Sequence, residues 1–435
     1  MKLEMATFYV GEVRFGTRTS YDGGVLEINK EELANLVLDD RRVISAELAV
    51  TRPGEKTRLV KLRDAVEPRV KVSGPGCVFP GVLGPVDTVG EGRTHRLSGV
   101  TVMLSAEYVP TVLSGTGAQS SGIVDMWGPA ARLTPFSSVI NIVLMVRLAD
   151  GVTELEAHAA MQSAEFKVAR RLAETTIERV PEDIEVFELS KCDPALPRVV
   201  YIAAASLTWH NPHSGLAYYG LPIRESLPTL IHPNEFLDGA ITKDARVANG
   251  SRPTTWSWMS PAVILELLRQ HGKQLNFLGV ILQRTRFETE FGKQITAACT
   301  SQMARLLGAD GAISTRISTS GNNFMDMMLT VEACEKKGIK TVFVTPEWGG
   351  KKGDELPLVY YVPEATAMIS TGSFERDVIM PLPDRVIGAG DCQSVQLYAG
   401  DKYYAPAGEF TLPASFCLLE GVDCLGGMSL TCGQY

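Results

Sequence analysis

The sequence has no CxxC pair, and its eight cysteines are scattered over 435 residues. That excludes a disulfide framework and a zinc ribbon, and each cysteine reads as a small buried hydrophobe of a reducing compartment. No apolar run reaches the ~18 residues that cross a bilayer. The opening "MKLEMATFYVGEVRFG" contains no signal-peptide core. There is no basic excess either. The 42 Lys and Arg face 50 Asp and Glu, for a formal charge of -8, so attraction to nucleic acid or to an anionic membrane is not expected. These absences predict a cytoplasmic protein. Histidine is scarce as well, at six residues, and no cysteine occurs between Cys192 and Cys299.

What is present is a long, ordinary globular composition, 45% hydrophobic and 21% charged, enough for two or three domains. Up to about residue 150 the chain is strand-like. "ATFYVGEVRFG", "GVLEIN", "VISAELAV", "PRVKVSGPG" and "LSGVTVMLSAEYV" are rich in β-branched residues and punctuated by Gly and Pro. One helix interrupts them, Lys30 to Leu38, capped by Asn29 with acidic residues in its first turn. From Glu154 apolar residues recur at helical spacing to Ala173. Helices over 260–271, 295–307 and 325–337 then lead into the apolar segments "NFLGVIL", "GAIST" and "KTVFVTP", with "PRVVYIAAAS" before them and "ATAMISTG" after. Helix, glycine stop and apolar strand, repeated, predict a doubly wound parallel sheet with a ligand crevice at its strand-to-helix loops. The expected fold is therefore α/β, with a β-rich domain over 1–150, a doubly wound domain over 151–372, and a strand and loop segment over 373–435 packing on the others.

Three histidines fall close together, His210 and His213 in "TWHNPHSGLAYYG" and His232 in "TLIHPNEFLDGA". Three imidazoles with an open position suit zinc, but this H-x-x-H lies on a proline-containing loop, and loop-capping histidines without metal fit it as well. His232 and Glu235 are general acid–base candidates. Three loops of the β region also stand out: "GPGCVFPG", "GEGRTHR" and "VDMWGP". They offer His95 and Asp125 as catalytic candidates, and Arg93 and Trp127 for binding; Arg93 suits a carboxylate. Plain tight turns explain their glycines equally. "TSGNNFMDMM" can hold an anion or simply cap a helix. Cys77 and Cys299 lie nearest to loop-like sequence and read as structural.

A series of motifs in one order then places the chain. "EVRFG", "GVLEINKEEL", "TRPGE", "VEPRVKVSGPG", "VFPGVLGPVDTVGEGRTHRLSGV", "GIVDMWGP" and "TPFS" are followed by "PTLIHPNEFLDGAI", "HGKQLNFLGVI", "LGADGAI", "EKKGIKTVFVTPE" and "DRVIGAGD". Over essentially its whole length the chain resembles the component B proproteins (alpha and beta subunits) of glycine, sarcosine and betaine reductase, with the D-proline reductase proprotein more distant. The resemblance implies a subunit of a complex that cleaves a C–N bond reductively. It implies a proprotein that cuts itself before a cysteine, which becomes a pyruvoyl group able to capture a substrate amine. It also implies a thiol- or selenol-bearing partner subunit that takes the carbon fragment.

In that family an Asn-Cys pair follows "DGA" closely, and by the resemblance it falls here on Ala245 and Arg246. A second family cysteine falls on Gly250. Self-cleavage needs a side-chain nucleophile, and Arg246 has none; Ser251 is the one nearby hydroxyl after a flexible Asn-Gly step. The expectation is an uncleaved chain with no pyruvoyl and no other predicted cofactor, zinc being possible. It would be an oligomeric complex subunit acting on a small amine or amino-acid-like, N-alkylated substrate. Arg93, His95, Asp125 and the His232/Glu235 loop would carry binding. Trp127, Trp209, Trp256 and Trp258 could meet a cationic nitrogen. Two alternatives stay open: a hydrolase, lyase or transferase built on His210, His213 and His232, and a non-catalytic scaffold subunit.

Overall fold

The computed structural model describes residues 1–107, 122–206, 215–223, 226–246, 252–286, 288–317, 321–397 and 403–428. It is a mixed α/β protein, rich in strands. No described helix is long and apolar enough to cross a membrane.

Two sheets form the N-terminal body. The first orders its strands Asp183–Glu188, Lys2–Tyr9, Gly92–Ser98, Arg69–Ser73. The second orders Gly122–Asp125, Thr57–Val66, Val100–Glu107, Ile140–Leu148, Val43–Thr51, and Arg385–Ile387 of the C-terminal segment joins it beside Thr57–Val66. The helix Glu154–Glu174 packs here too. Its start is fixed by a capping box, Thr153 with Glu156, and Ala160, Met161, Ala164, Phe166 and Leu172 enter the same core as Phe8, Val102 and Ile142.

The third sheet runs Thr229–Ile231, Asn276–Thr285, Arg198–Ser206, Gly311–Thr315, Lys340–Glu347, Met368–Ser373. All neighbours are parallel except the antiparallel edge strand Thr229–Ile231. The helices Ala262–Gln270, Glu290–Leu306 and Gly321–Glu335 each precede a strand of this sheet. Arg198–Ser206 sits mid-sheet, so the connections run off to both sides of it and its C-terminal edge is where a crevice belongs.

Two expectations are corrected. "GEGRTHR" is not a free loop, because Gly92–Ser98 is a strand paired to both Lys2–Tyr9 and Arg69–Ser73. The glycines before it disguise an inward alternation that buries His95 and Leu97. Thr57–Val66 is a strand as well, outside the strand-like segments of the sequence because Lys61, Arg63 and Asp64 break its apolar pattern. A bulge between Leu62 and Asp64, with Lys61 at φ 53°, turns Arg63 and Asp64 inward.

The "GPGCVFPG" loop is the turn structure its glycines allow, and it is also a seam. Phe79 stacks on Phe166 with ring centroids 3.9 Å apart, and its N–H donates to the Asp238 carbonyl at 3.1 Å. Gly81 adopts φ +78°, and a Cβ there would lie 2.1 Å from the Tyr219 carbonyl oxygen. Gly81→Ala therefore combines left-handed strain with a backbone clash. It should cost about 2–4 kcal/mol of unfolding free energy in denaturant titration; a wild-type midpoint would show that this seam is not closely packed.

Candidate functional site

The segment from His232 to Ser260 is held at both ends. His232 caps the short helix Pro233–Leu237, its Nδ1 accepting from the Asn234 N–H at 3.2 Å. The Glu235 carboxylate returns to the His232 N–H at 3.0 Å and accepts from the hydroxyls of Tyr218 and Tyr219 at 2.6 and 2.9 Å. Burial pushes the His232 imidazole down to about 4, so it is neutral near pH 7. Asp238 is fully buried; it accepts from the Gly90 N–H at 2.8 Å and the Thr94 hydroxyl at 2.6 Å, and pairs with Lys71. Arg69, also buried, donates to the Leu237 carbonyl at 2.5 Å, the Met259 carbonyl at 2.8 Å and the Ser260 hydroxyl at 2.6 Å, and pairs with Glu67.

Between these anchors the chain carries buried charge. The helix Glu154–Glu174 lays one polar stripe, at positions 154, 158, 162 and 165, along residues 242–246. Glu154 lies 3.6 Å from Arg246, His158 lies 3.4 Å from Asp244, and the Gln162 amide donates to the Thr242 hydroxyl at 3.1 Å. Glu165, fully buried, lies within the field of Asp64 and Lys243. Arg246 is itself buried and meets Asp244 in bidentate fashion, at 3.0 Å from Nε and 2.5 Å from Nη2. Burial opposes ionisation of Asp244, but His158 and Arg246 together hold its carboxyl below the usual range.

The amine of Lys243 donates to the Arg63 carbonyl. Burial pulls it below the ordinary lysine range, against the pull of Asp64, Glu165 and Glu420. Asp64 accepts from the N–H and hydroxyl of Thr255 at 2.9 and 2.6 Å. Glu420 accepts from the N–H of Thr254, from its hydroxyl at 2.5 Å and from the Ser257 hydroxyl at 2.7 Å. Burial raises the carboxyls of Asp64 and Glu420, and raises that of Glu165 well above the ordinary range with Asp64 adding to it. Glu420 also sits at φ 50°, a conformation costly for a residue with a side chain.

Glu420 forms one wall of a pocket of about 110 Å³, with Trp256, Ser257, Asp423, Cys424 and Met428 among the others. Among the described residues no Lys or Arg lines it. Asp423 shapes the rim by accepting from the N–H groups of Leu425, Gly427 and Met428 at 3.2, 3.0 and 2.8 Å. A second pocket of about 130 Å³ shares Val422, Asp423 and Met428 and brings in Arg132 and Thr371.

The residues singled out from sequence are dispersed. His232 and Glu235 stand together, but as reciprocal helix caps. His95 is buried against Phe8, ring centroids 4.9 Å apart, with Nδ1 3.1 Å from the Thr176 hydroxyl, and burial lowers its pKa. Arg93 pairs with Glu4 at 2.6 Å. Asp125 is locked to Arg58 at 2.6 and 2.8 Å, the Arg58 guanidinium lying 5.8 Å from the Trp127 ring. Arg58 also donates to the carbonyls of Pro381, Pro406 and Gly408, so this cluster ties down the C-terminal segment. His232, Glu235, His95, Arg93, Asp125 and Trp127 line neither pocket, whereas Trp256 lines the first. His210, His213, Trp209 and Ser251 lie outside the described residues. Among the described residues no group of three or more His, Cys, Asp or Glu has an arrangement that could hold a metal. Sequence reasoning missed Asp64, Glu165, Lys243 and Glu420. The one local signal was the polar stripe at positions 154, 158, 162 and 165 on an otherwise apolar helix face.

A family model described as "Glycine/sarcosine/betaine reductase component B subunits" matches residues 1–408. The chain is 34% identical over 408 residues, 92% of each chain, to the "Glycine reductase complex component B subunits alpha and beta" of Acetoanaerobium sticklandii. It is 33% identical to the "Sarcosine reductase complex component B subunit alpha" of Peptoclostridium acidaminophilum, over 90% of each chain. It is 34% identical to that organism's "Betaine reductase complex component B subunit alpha", over 89% of this chain and 88% of the relative. No solved structure matches.

Arg69→Met leaves two buried carbonyls without a donor and Glu67 without its cation. It should cost about 3–5 kcal/mol, read as a lowered urea midpoint; a loss under 1 kcal/mol would mean that the loop ends are held by something else. The His232 imidazole, at about 4 when folded against an ordinary 6.5, binds its proton more weakly folded than unfolded. Its share of stability is therefore complete above pH ~6.5 and is lost as the pH falls toward 4, on the order of 1–3 kcal/mol. His232→Asn, which keeps a capping side chain, should flatten that part of the pH–stability curve. An unchanged slope between pH 6.5 and 4 would contradict it.

Proposed function

Since the chain belongs to the family of glycine/sarcosine/betaine reductase component B subunits, we propose that it works as an uncleaved, pyruvoyl-free substrate-binding subunit for reductive C–N cleavage. The observation that carries this is Arg246. The family resemblance puts the self-cleavage cysteine there, and the residue present is a buried arginine clasped by Asp244. Asp244-Ala245-Arg246 offers no thiol or hydroxyl to attack a preceding carbonyl. The residues do not fit the formation of a pyruvoyl group, and no step here passes through one.

The pocket beside Glu420 supports a substrate that has no need of such a group. Two carboxylates, an indole and no cation line it, which suits a cationic, alkylated nitrogen. Arg132 in the adjoining pocket suits a carboxylate. A small N-alkylated amino-acid zwitterion meets both. A fully alkylated nitrogen has no hydrogen to lose in forming an imine, so a carbonyl electrophile would not activate it. It leaves instead as a neutral amine, keeping the C–N electron pair, while a thiolate or selenolate of a partner subunit bonds to the carbon. This chain's share is to bind and orient the substrate. The names of its relatives, each a component of a reductase complex, are the support for such a partner.

Intact-mass spectrometry of the protein purified from its native host should give one chain of 47.2 kDa. Two fragments, the second beginning in a carbonyl-reactive end, would overturn the reading. In calorimetry a trimethylated amino acid should bind the full chain. Trp256→Ala and Glu420→Gln should each weaken it about tenfold or more. Binding unmoved by both would remove the pocket from the proposal.

A further inference from the structure

The helix Glu290–Leu306 is fastened on one side only. Its buried Lys293 donates to Asp326 of the next helix at 2.7 Å and to the Arg286 carbonyl. Thr296, Ala297, Thr300, Ser301 and Ala304 also face inward. The outer side carries Phe291, Ile295 and Leu306, exposed by 71%, 43% and 79%. No other described helix presents more than one exposed large apolar side chain. At 3.6 residues per turn, positions 291, 295, 298, 302 and 306 fall within an arc of roughly 80°. A scattered exposed leucine needs no explanation, but an aligned strip does.

We infer that this strip is the contact face of a two-fold dimer, each copy laying the helix antiparallel on that of the other. The positions of the strip mirror one another about a midpoint between Ala298 and Cys299, with apolar Phe291 and Leu306 closing its two ends. Antiparallel pairing sets Phe291 against Leu306 of the second copy and Ile295 against Gln302, with the small Ala298 and Cys299 where the helices approach most closely. Charge selects the direction. Glu290 and Arg305 flank the strip on the same side, near opposite ends. Antiparallel packing puts each against its opposite in the second copy, whereas parallel packing leaves Glu290 and Arg305 of the two copies roughly 22 Å apart along the axis. That self-complementarity is what commits the face to another copy of this chain. Lys293, pinned inward by Asp326, keeps the helix from rotating its apolar side into its own core. The inference does not depend on the substrate reading above.

Sedimentation equilibrium on the full chain should return twice 47.2 kDa. Phe291→Asp with Leu306→Asp should return the monomer, with far-UV circular dichroism unchanged. Glu290→Arg alone and Arg305→Glu alone should each raise the dissociation constant about tenfold. The double exchange should recover it to within about threefold. Ala298→Cys should cross-link under mild oxidation to Cys299 of the second copy, seen in the peptide that joins them. A monomeric wild type overturns the inference. So does a dimer indifferent to the aspartates, or a double exchange as weak as its singles.

Discussion

One guanidinium organises the centre of this protein. Arg69 reaches from the first sheet to the carbonyls of Leu237 and Met259, which bracket the segment that carries Lys243, Arg246, Thr254 and Thr255. A buried cation needs compensation, and Glu67 supplies it. The carbonyls complete the donor geometry that an arginine fork provides and a lysine does not. With the ends fixed, Thr255 meets Asp64 and Thr254 meets Glu420. The strand-rich body, the parallel sheet and the C-terminal segment thereby converge on one stretch of chain. The pocket beside Glu420 is a product of that convergence.

The charge buried at this point is not balanced by ion pairing alone. Asp64, Glu165, Asp244 and Glu420 stand against Lys243 and Arg246. Burial lifts three of the four carboxyls, and the exception, Asp244, is the one clasped by Arg246 and flanked by His158. Arginine has therefore not been pushed into a cysteine-sized vacancy. Its bidentate partner sits two residues upstream, and Glu154 on the facing helix adds a second carboxylate. An arginine held by two carboxylates belongs to a site arranged around it.

Elements with local rules were legible in the sequence. Asn29 with its acidic first turn marked the helix Lys30–Leu38 to the residue, and "GAIST" is the strand Gly311–Thr315. The strand Thr57–Val66 was hidden because the polar residues that interrupt its pattern point inward to the buried charge cluster. "HPNE" looked like chemistry because histidine and glutamate are rare neighbours of acid–base sites. Read as local geometry, a residue before a proline with a glutamate three positions on is a capping box, and the structure forms that box. The site itself could not be read because its members meet only in space. Thr255 and Asp64 are 191 residues apart, and Thr254 and Glu420 are 166 apart. The clue that was local, polar residues at 154, 158, 162 and 165 on one helix face, has meaning only once the strand it faces is known.

The clamp is compatible with the proposal that this chain stays uncleaved. Arg69 holds Leu237 on one side of Arg246 and Met259 on the other. Each side has further fastenings of its own, Asp238 with Lys71 before it and Thr254 with Glu420 after it. A frame that grips both flanks independently does not need the peptide bond between them for its stability. It equally has no need for that bond to be cut. On the proposed reading, arginine at this position supplies a paired positive charge where an electrophile would otherwise form, and Asp244 completes it. On that reading, a substrate whose nitrogen cannot condense with a carbonyl loses nothing by the absence of an electrophile.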